Sequence, residues 1–290
     1  MKIATHNGPF HCDDVFAVAV LLKLYPDAEI VRTRDTEVMD VCDIVLDVGQ
    51  IYDHDKKRYD HHQLGKAGER ENGISYSALG LVWRHYGLEW CEDNKDLWQK
   101  IDGGFVTAID ADDNGQELYT LTEFEIGPIA LWDVIKWFRP MYGEAFSFDE
   151  GFMRAVEFAT TVLLRYKTKC LAGLSLLQKV SVLYLEQPDK RAFVMEEHMP
   201  LGEFAEEATE LLFTVYPDAN HNWRISTVPK EKGTFKNRKD LPESWAGLSG
   251  EALADVTGVE DAVFCHNERF IAGAKTKEGV LKLLKLALEA

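Results

Sequence analysis

Five cysteines in 290 residues (Cys12, Cys42, Cys91, Cys170 and Cys265) stand far apart and form no CxxC pair. An odd, scattered set excludes a disulfide framework and reads as free thiols in a reducing compartment. Long apolar runs are missing too, and no stretch approaches the ~20 uninterrupted apolar residues of a membrane span. The opening MKIATHNGPF has neither the basic start nor the apolar core of a secretory signal, so cytoplasm is the expected location. Positive charge is scarce: 32 Lys and Arg face 49 Asp and Glu, for a formal net charge of −17. Binding long nucleic acid by counterion release calls for a basic face, so this balance argues against long DNA as a tightly held partner. A nucleotide or short oligonucleotide held through metal ions and a few local cations stays open. HExxH and GxSxG motifs are absent, as are repeats, low-complexity tracts and charge blocks.

What is present is ordinary globular composition, 46% apolar, enough for a packed core in two domains or one large one. Lys2–Thr5 reads as a strand running straight into His6, and Asp14–Tyr25 as a buried helix stopped by Pro26. Glu29–Arg34 and Asp43–Val48 read as strands, the second apolar enough for a parallel sheet. Ser77–Tyr86 is a helix ended by Gly87. Leu97, Ile101, Phe105 and Ile109 recur every four residues, which predicts a helix over 97–110 despite Gly103-Gly104. From Gly127 to about Glu186 the pattern is almost purely helical. Strand-like runs follow at 192–196, 211–216, 223–228, 262–266 and 270–274, and an amphipathic helix over 277–288 closes the chain. The fold class is therefore α/β: an N-terminal domain with a mainly parallel sheet and a helical connector over 1–186, then a smaller α+β domain over 187–290.

Four clusters in the first third carry chemistry. They are His6 with His11, Asp13 and Asp14; Asp47 before Gly49; Asp60-His61-His62; and Asp110 with Asp112 and Asp113. Each alone has a plainer reading as helix cap, turn residue or solvated loop. Asp110-x-Asp112-x-Asn114-Gly115 imitates the start of an EF-hand loop, but its twelfth position is Leu121 where a bidentate Glu is required. Together, three or more histidines and four or more aspartates fall at element ends, where α/β folds gather their ligands. Mixed imidazole and carboxylate donors suit Mn²⁺, Fe²⁺, Zn²⁺ or Mg²⁺. A carboxylate bridging two ions about 3.5–4 Å apart is the usual hydrolytic arrangement.

Asp60-His61-His62, preceded by the strand-end Asp47 and a His/Asp-rich first loop, resembles the DHH phosphoesterase superfamily. The resemblance is closest to its Myg-type (melanocyte-proliferating-gene) branch. It is carried by THNGPFHCDD (5–14), DVGQIYDHDKKRYDHHQ (47–63), AIDADDNG (108–115), LLFTVYPDANHNWRISTVP (211–229), FKNRKDLPESWAGL (235–248) and FIAGAKT (270–276). It implies a DHH-type catalytic domain with His6, His11, Asp13, Asp47, Asp60 and Asp110 as ligands of two ions, Mn²⁺ on family grounds with Mg²⁺ as the alternative. Asp47 would bridge the ions, and Asp60, His61 and His62 would act in catalysis, with His61 by the leaving group. It further implies a C-terminal substrate-binding domain, in which Lys236, Arg238, Lys239, His266 and Lys275 are phosphate contacts.

The function implied is a metal-dependent 3′–5′ exonuclease on RNA or short oligonucleotides. A small-molecule phosphatase or pyrophosphatase is the alternative within the class, favoured mildly by the negative charge. A metal-dependent protein hydrolase or a non-catalytic binding protein is the alternative outside it. Cys12 is a poor nucleophile for the latter, because its acidic neighbours raise a thiol's pKa. The sequence leaves a homodimer open.

Overall fold

The KIAT run forms β1 (Lys2–Thr5), with β2 (Glu29–Arg32) and β3 (Ile44–Leu46) paired parallel on either side of it. Beyond β3 lie β5 (Arg58–Tyr59), parallel to it, and β4 (Tyr52–Asp53), antiparallel at the edge. The order is β2-β1-β3-β5-β4, so the sheet is mainly parallel as expected. The short β4–β5 hairpin has no counterpart in the sequence reading, because two-residue strands in DHDKKRYD carry no alternation to see.

This computed structural model describes every residue except 232, 233 and 235. Phe235, which opens one of the family-like segments, thus lies outside the described residues. The chain divides into two units, Met1–Ala172 and Gly173–Ala290.

In the first unit, α1 (Cys12–Leu24) is buried almost all round. It starts two residues before Asp14, because the Asp14 carboxylate reaches back to the His11 amide (2.9 Å) and closes a capping box. The short α2 (Thr36–Asp40) follows β2, capped by Asp35. Packed on α1 is α3 (Ala78–Trp90), which runs through Gly87 instead of ending there. A Cβ at Gly87 would lie 2.7 Å from the Trp83 ring and 2.9 Å from Trp98, so this glycine serves close packing. The helix expected over 97–110 is three pieces: α4 (Lys95–Ile101), a π-turn (Asp102–Val106) and α5 (Thr107–Asp113). Gly104 permits the turn, since a Cβ there would collide with the Tyr166 hydroxyl. The expected helical tract after Gly127 is interrupted: α6 (Leu131–Lys136) is short and irregular chain separates it from α7 (Phe148–Leu185), which runs through the division between units.

The second unit holds β6 (Ala192–Val194), β7 (Phe213–Pro217), β8 (Trp223–Thr227), β9 (Ala262–Cys265) and β10 (Ile271–Ala274) in the order β6-β7-β8-β10-β9. Only β6 and β7 pair in parallel. All five strands fall within a residue or two of the strand-like runs. Two short helices, α8 (Phe204–Glu207) and α9 (Glu251–Thr257), precede α10 (Lys277–Glu289). Val280, Leu283, Leu284 and Ala287 recur at helical spacing and bury against Phe213, Ile225 and Ala272, which gives the smaller unit its own core. Among the described residues no helix is long and apolar enough to cross a membrane.

Candidate metal centre

Three parallel strands deliver side chains to one edge of the first sheet. His6 follows β1, Asp47 follows β3, and Asp60-His61-His62 follow β5. Strand ends do this because the pairing stops there while the backbone direction is still fixed. The loop from His6 to His11 is clamped from behind. Arg32 donates to the Gly8 carbonyl (2.7 Å) and Arg139 to the Phe10 carbonyl (2.8 Å), with both guanidiniums beside the Phe10 ring. Neither arginine stands out in the sequence, because the contact is tertiary. Asp47 adopts a left-handed backbone, φ 53°, which a non-glycine residue holds only where its surroundings impose it.

Ligand atoms gather in four overlapping groups, each within 4.8 Å: His6, His11 and Asp47; Asp47, His61 and His62; His11, Asp13 and Asp113; Asp13, Asp14 and Asp47. Asp13, Asp14 and Asp47 are buried, whereas His11 and His62 are exposed and mark the opening. One oxygen of each buried aspartate of the first loop is anchored, Asp13 by the Ala78 amide (3.2 Å) and Asp14 by the His11 and Val15 amides. The other oxygens are not. Asp13 Oδ1, Asp14 Oδ2 and both Asp47 oxygens accept no hydrogen bond among the described residues. His6 Nε2 lies 3.2 Å from Asp14 and 3.3 Å from Asp47, and His61 Nε2 lies 3.4 Å from Asp47 and 3.1 Å from Asp113. These approaches are within ion-pair distance but lack hydrogen-bond angles at the buried oxygens, so the groups converge on shared space as charges in contact.

The electrostatics agree. Burial alone would depress the His6 imidazole, but Asp14 and Asp47 outweigh it and raise its pKa to about 10. Asp113 and Asp47 likewise raise His61 to about 10 against its burial. Burial and the neighbouring charges of Asp113, Asp47 and Asp14 push the Asp13 carboxyl well above its ordinary range. Asp47 is held well below that range, because His6 and His61 overcome its burial. Histidine protons are here partly neutralising a pocket of excess negative charge. Buried carboxylate oxygens without donors, beside imidazole nitrogens, fit a divalent cation with mixed O and N ligands.

Two residues assigned as ligands from sequence lie outside these groups. Asp60 accepts from the Gln50 amide (2.5 Å) and from the amide and Nδ1 of His62 (3.1 and 2.8 Å), so it orients His62. Asp110 turns to the start of α3: it accepts from Arg70 (2.7 and 3.0 Å), from the Ser77 amide and hydroxyl, and from the Gly80 amide. A Cβ at Gly80 would sit 2.2 Å from that carboxylate, so the site needs glycine. Asp113, three residues on, faces His61 instead. Asp14 and Asp113 belong to the same sequence clusters, where nothing local distinguishes them from Asp13 and Asp110 as ligands.

The five basic side chains expected to bind substrate lie in the second unit. Lys236 is exposed and lines a groove of about 1040 Å³ with Lys230, Asn237 and Arg269. Arg238 does not: its guanidinium is bound to the carbonyls of Ala205, Ala208 and Leu211. Lys239 Nζ donates to the Leu288 carbonyl (3.2 Å). His266 is exposed against Phe270, and Lys275 is exposed at the end of β10. Cys12 is buried, and burial with Asp13 raises its thiol well above the ordinary value, which removes it as a nucleophile.

Fold and site define a mixed α/β protein with a histidine–aspartate cluster that could hold a cation at the carboxyl edge of a mainly parallel sheet. The chain belongs to the MYG1 family: the family model MYG1_exonuc, described as uncharacterised protein family UPF0160, matches residues 2–288. It is 34% identical over 327 residues to the human protein named MYG1 exonuclease, covering 99% of this chain and 85% of that one. A MYG1 protein of Saccharomyces cerevisiae is 32% identical over 323 residues, covering 99% and 95%. One of Caenorhabditis elegans is likewise 32% identical over 323 residues, with 99% and 95% covered. No solved structure matches the chain significantly.

Proposed function

We propose that this chain is a metal-dependent phosphodiester hydrolase that shortens RNA or short oligonucleotides from the 3′ end. The carrying observation is the set of buried carboxylate oxygens without hydrogen-bond donors that faces His6, His11, His61 and His62. The names of the human and bovine relatives, MYG1 exonuclease, support a nuclease. Residues 1–186 form the catalytic domain with its connector, and residues 187–290 bind substrate, with Lys236, His266 and Lys275 as phosphate contacts. Five free, buried cysteines support a reducing compartment, the cytoplasm.

His6, His11, Asp13, Asp47 and His62, joined by Asp113, would hold two divalent ions, Mn²⁺ by preference and Mg²⁺ as the alternative. Asp47 belongs to three of the four ligand groups, so it would be the residue most central to holding such ions. Bound there, such ions supply Lewis acidity at a phosphoryl group and lower the pKa of an attacking water. Asp60 fixes the ring of His62. Asp110 sets the start of α3, on which Asp13 rests. His61, buried with its Nε2 turned to the shared space, delivers the proton to the leaving oxygen.

An end-labelled RNA pentamer incubated with Mn²⁺, Mg²⁺ or chelator tests this in wild type and Asp47→Asn. Stepwise, metal-dependent shortening lost in the variant is expected. The net charge of −17 favours a second reading, a phosphatase or pyrophosphatase for small anions. Turnover of pyrophosphate or mononucleotides without shortening of RNA would select it. Inactivity on every phosphoester with metal bound would refute both.

A further inference from the structure

The geometry points to a second, metal-independent recognition site in the first unit: a cleft that takes the terminal nucleoside of the substrate. The inference rests on the phosphodiesterase reading and adds to it the moiety that is recognised. The cleft has a volume of about 510 Å³ and is lined by Asp112, Glu117, Tyr119, Thr120 and Trp132, among others. It begins one residue from the metal centre, since Asp112 lines it while Asp113 faces His61 at 3.1 Å.

Its chemistry selects a nucleoside. Tyr119 and Trp132 offer aromatic faces of the kind on which bases stack. The wall is held in place by Gln116, which accepts from the Ser75 amide and donates to the Gly73 carbonyl, both at 2.9 Å. Beside it, the backbone of residues 117–121 makes no hydrogen bond within the chain among the described residues, which leaves amides and carbonyls for the edge of a base. Asp112 and Glu117 repel a further phosphate, so the occupant is a chain end with no phosphate beyond it. The Asp112 carboxylate has no hydrogen-bond partner among the described residues and lines the cleft next in sequence to Asp113. An acceptor there suits a ribose hydroxyl, the group that separates RNA from DNA.

Equilibrium dialysis of the full chain with labelled adenosine and 2′-deoxyadenosine, under chelator, reads the cleft without metal or turnover. Wild type is expected to bind adenosine saturably. Tyr119→Ala, a truncation in exposed irregular chain, should weaken both nucleosides at least about fivefold, the low end of a lost stacking contact. Asp112→Ala should weaken adenosine and leave deoxyadenosine unchanged. Absence of saturable adenosine binding, or equal binding by Tyr119→Ala, overturns the inference, provided the variant melts as the wild type does. Equal weakening of both nucleosides by Asp112→Ala overturns the role given to that carboxylate. RNA pentamer hydrolysis, run in parallel, keeps the two readings separate. An active wild type without a nucleoside site overturns the cleft alone, and a nucleoside-binding chain inactive on every phosphoester overturns the function alone.

Discussion

Asp110→Asn separates a ligand from a structural carboxylate. Asp110 is fully buried, and its Oδ2 accepts both Arg70 contacts while Oδ1 accepts from Ser77 and Gly80. The amide oxygen can keep the Ser77 and Gly80 bonds, so the substitution strikes the Arg70 face alone. Removing one partner of a buried pair costs about 3–5 kcal/mol, chiefly because the other charge is left uncompensated. Arg70 still holds Asp102 (2.5 Å), which places the expected loss at the low end, about 3 kcal/mol. For a unit of 172 residues that lowers Tm by roughly 6–12 °C. Metal stoichiometry, measured by titration calorimetry and elemental analysis on folded protein at low temperature, should be unchanged. A variant that melts like wild type but has lost an ion would refute this reasoning and return Asp110 to the ligand set.

The remaining expectations use the same site and its flank. Chelator should lower the Tm of wild type, because a ligand bound only by the folded state at about 100 times its Kd contributes about 2.7 kcal/mol. Asp13→Asn should melt higher than metal-free wild type and stop responding to metal, since it deletes a charge crowded by Asp113, Asp47 and Asp14; a lower metal-free Tm would contradict the crowding. Asp60→Asn should weaken metal binding by roughly 10–100-fold without abolishing it, as loss of a partner that orients a ligand does; complete loss in calorimetry would make Asp60 a ligand itself. Away from the site, His85 is stacked on His54 at 3.7 Å and bonded to the Tyr52 hydroxyl. Burial, His54 and Arg84 lower its pKa to about 4 from 6.5. The unfolded chain then binds the extra proton, so stability should fall as pH drops from about 6.5 to about 4 and flatten below. His85→Gln should remove that part of the slope in Tm-against-pH curves, and parallel curves would show that His85 does not contribute.

The parts of this site that are legible in sequence share a physical reason. His6 and Asp47 sit directly after short apolar strands, and a strand's end fixes where the next side chain goes, so motif and geometry coincide there. The strands of the smaller unit are legible as short runs rich in β-branched and aromatic residues, a signal that needs no partner to be seen. Asp110 and Asp113 differ in kind. Both lie on α5, behind the π-turn at Asp102–Val106, and that turn adds a residue to the helical register. Which of the two carboxylates meets the metal centre is decided by that added residue and by Tyr166, over sixty positions later, whose hydroxyl leaves Gly104 no room for a side chain. Periodicity at Leu97, Ile101, Phe105 and Ile109 continues smoothly through the turn and conceals it. The clamp of Arg32 and Arg139 on the first loop is hidden for the same reason: each arginine is ordinary in its own segment and acquires its role only from carbonyls brought to it by the fold. A motif can thus state which residue types the chemistry needs, but choosing between neighbours three residues apart requires the register that tertiary packing imposes.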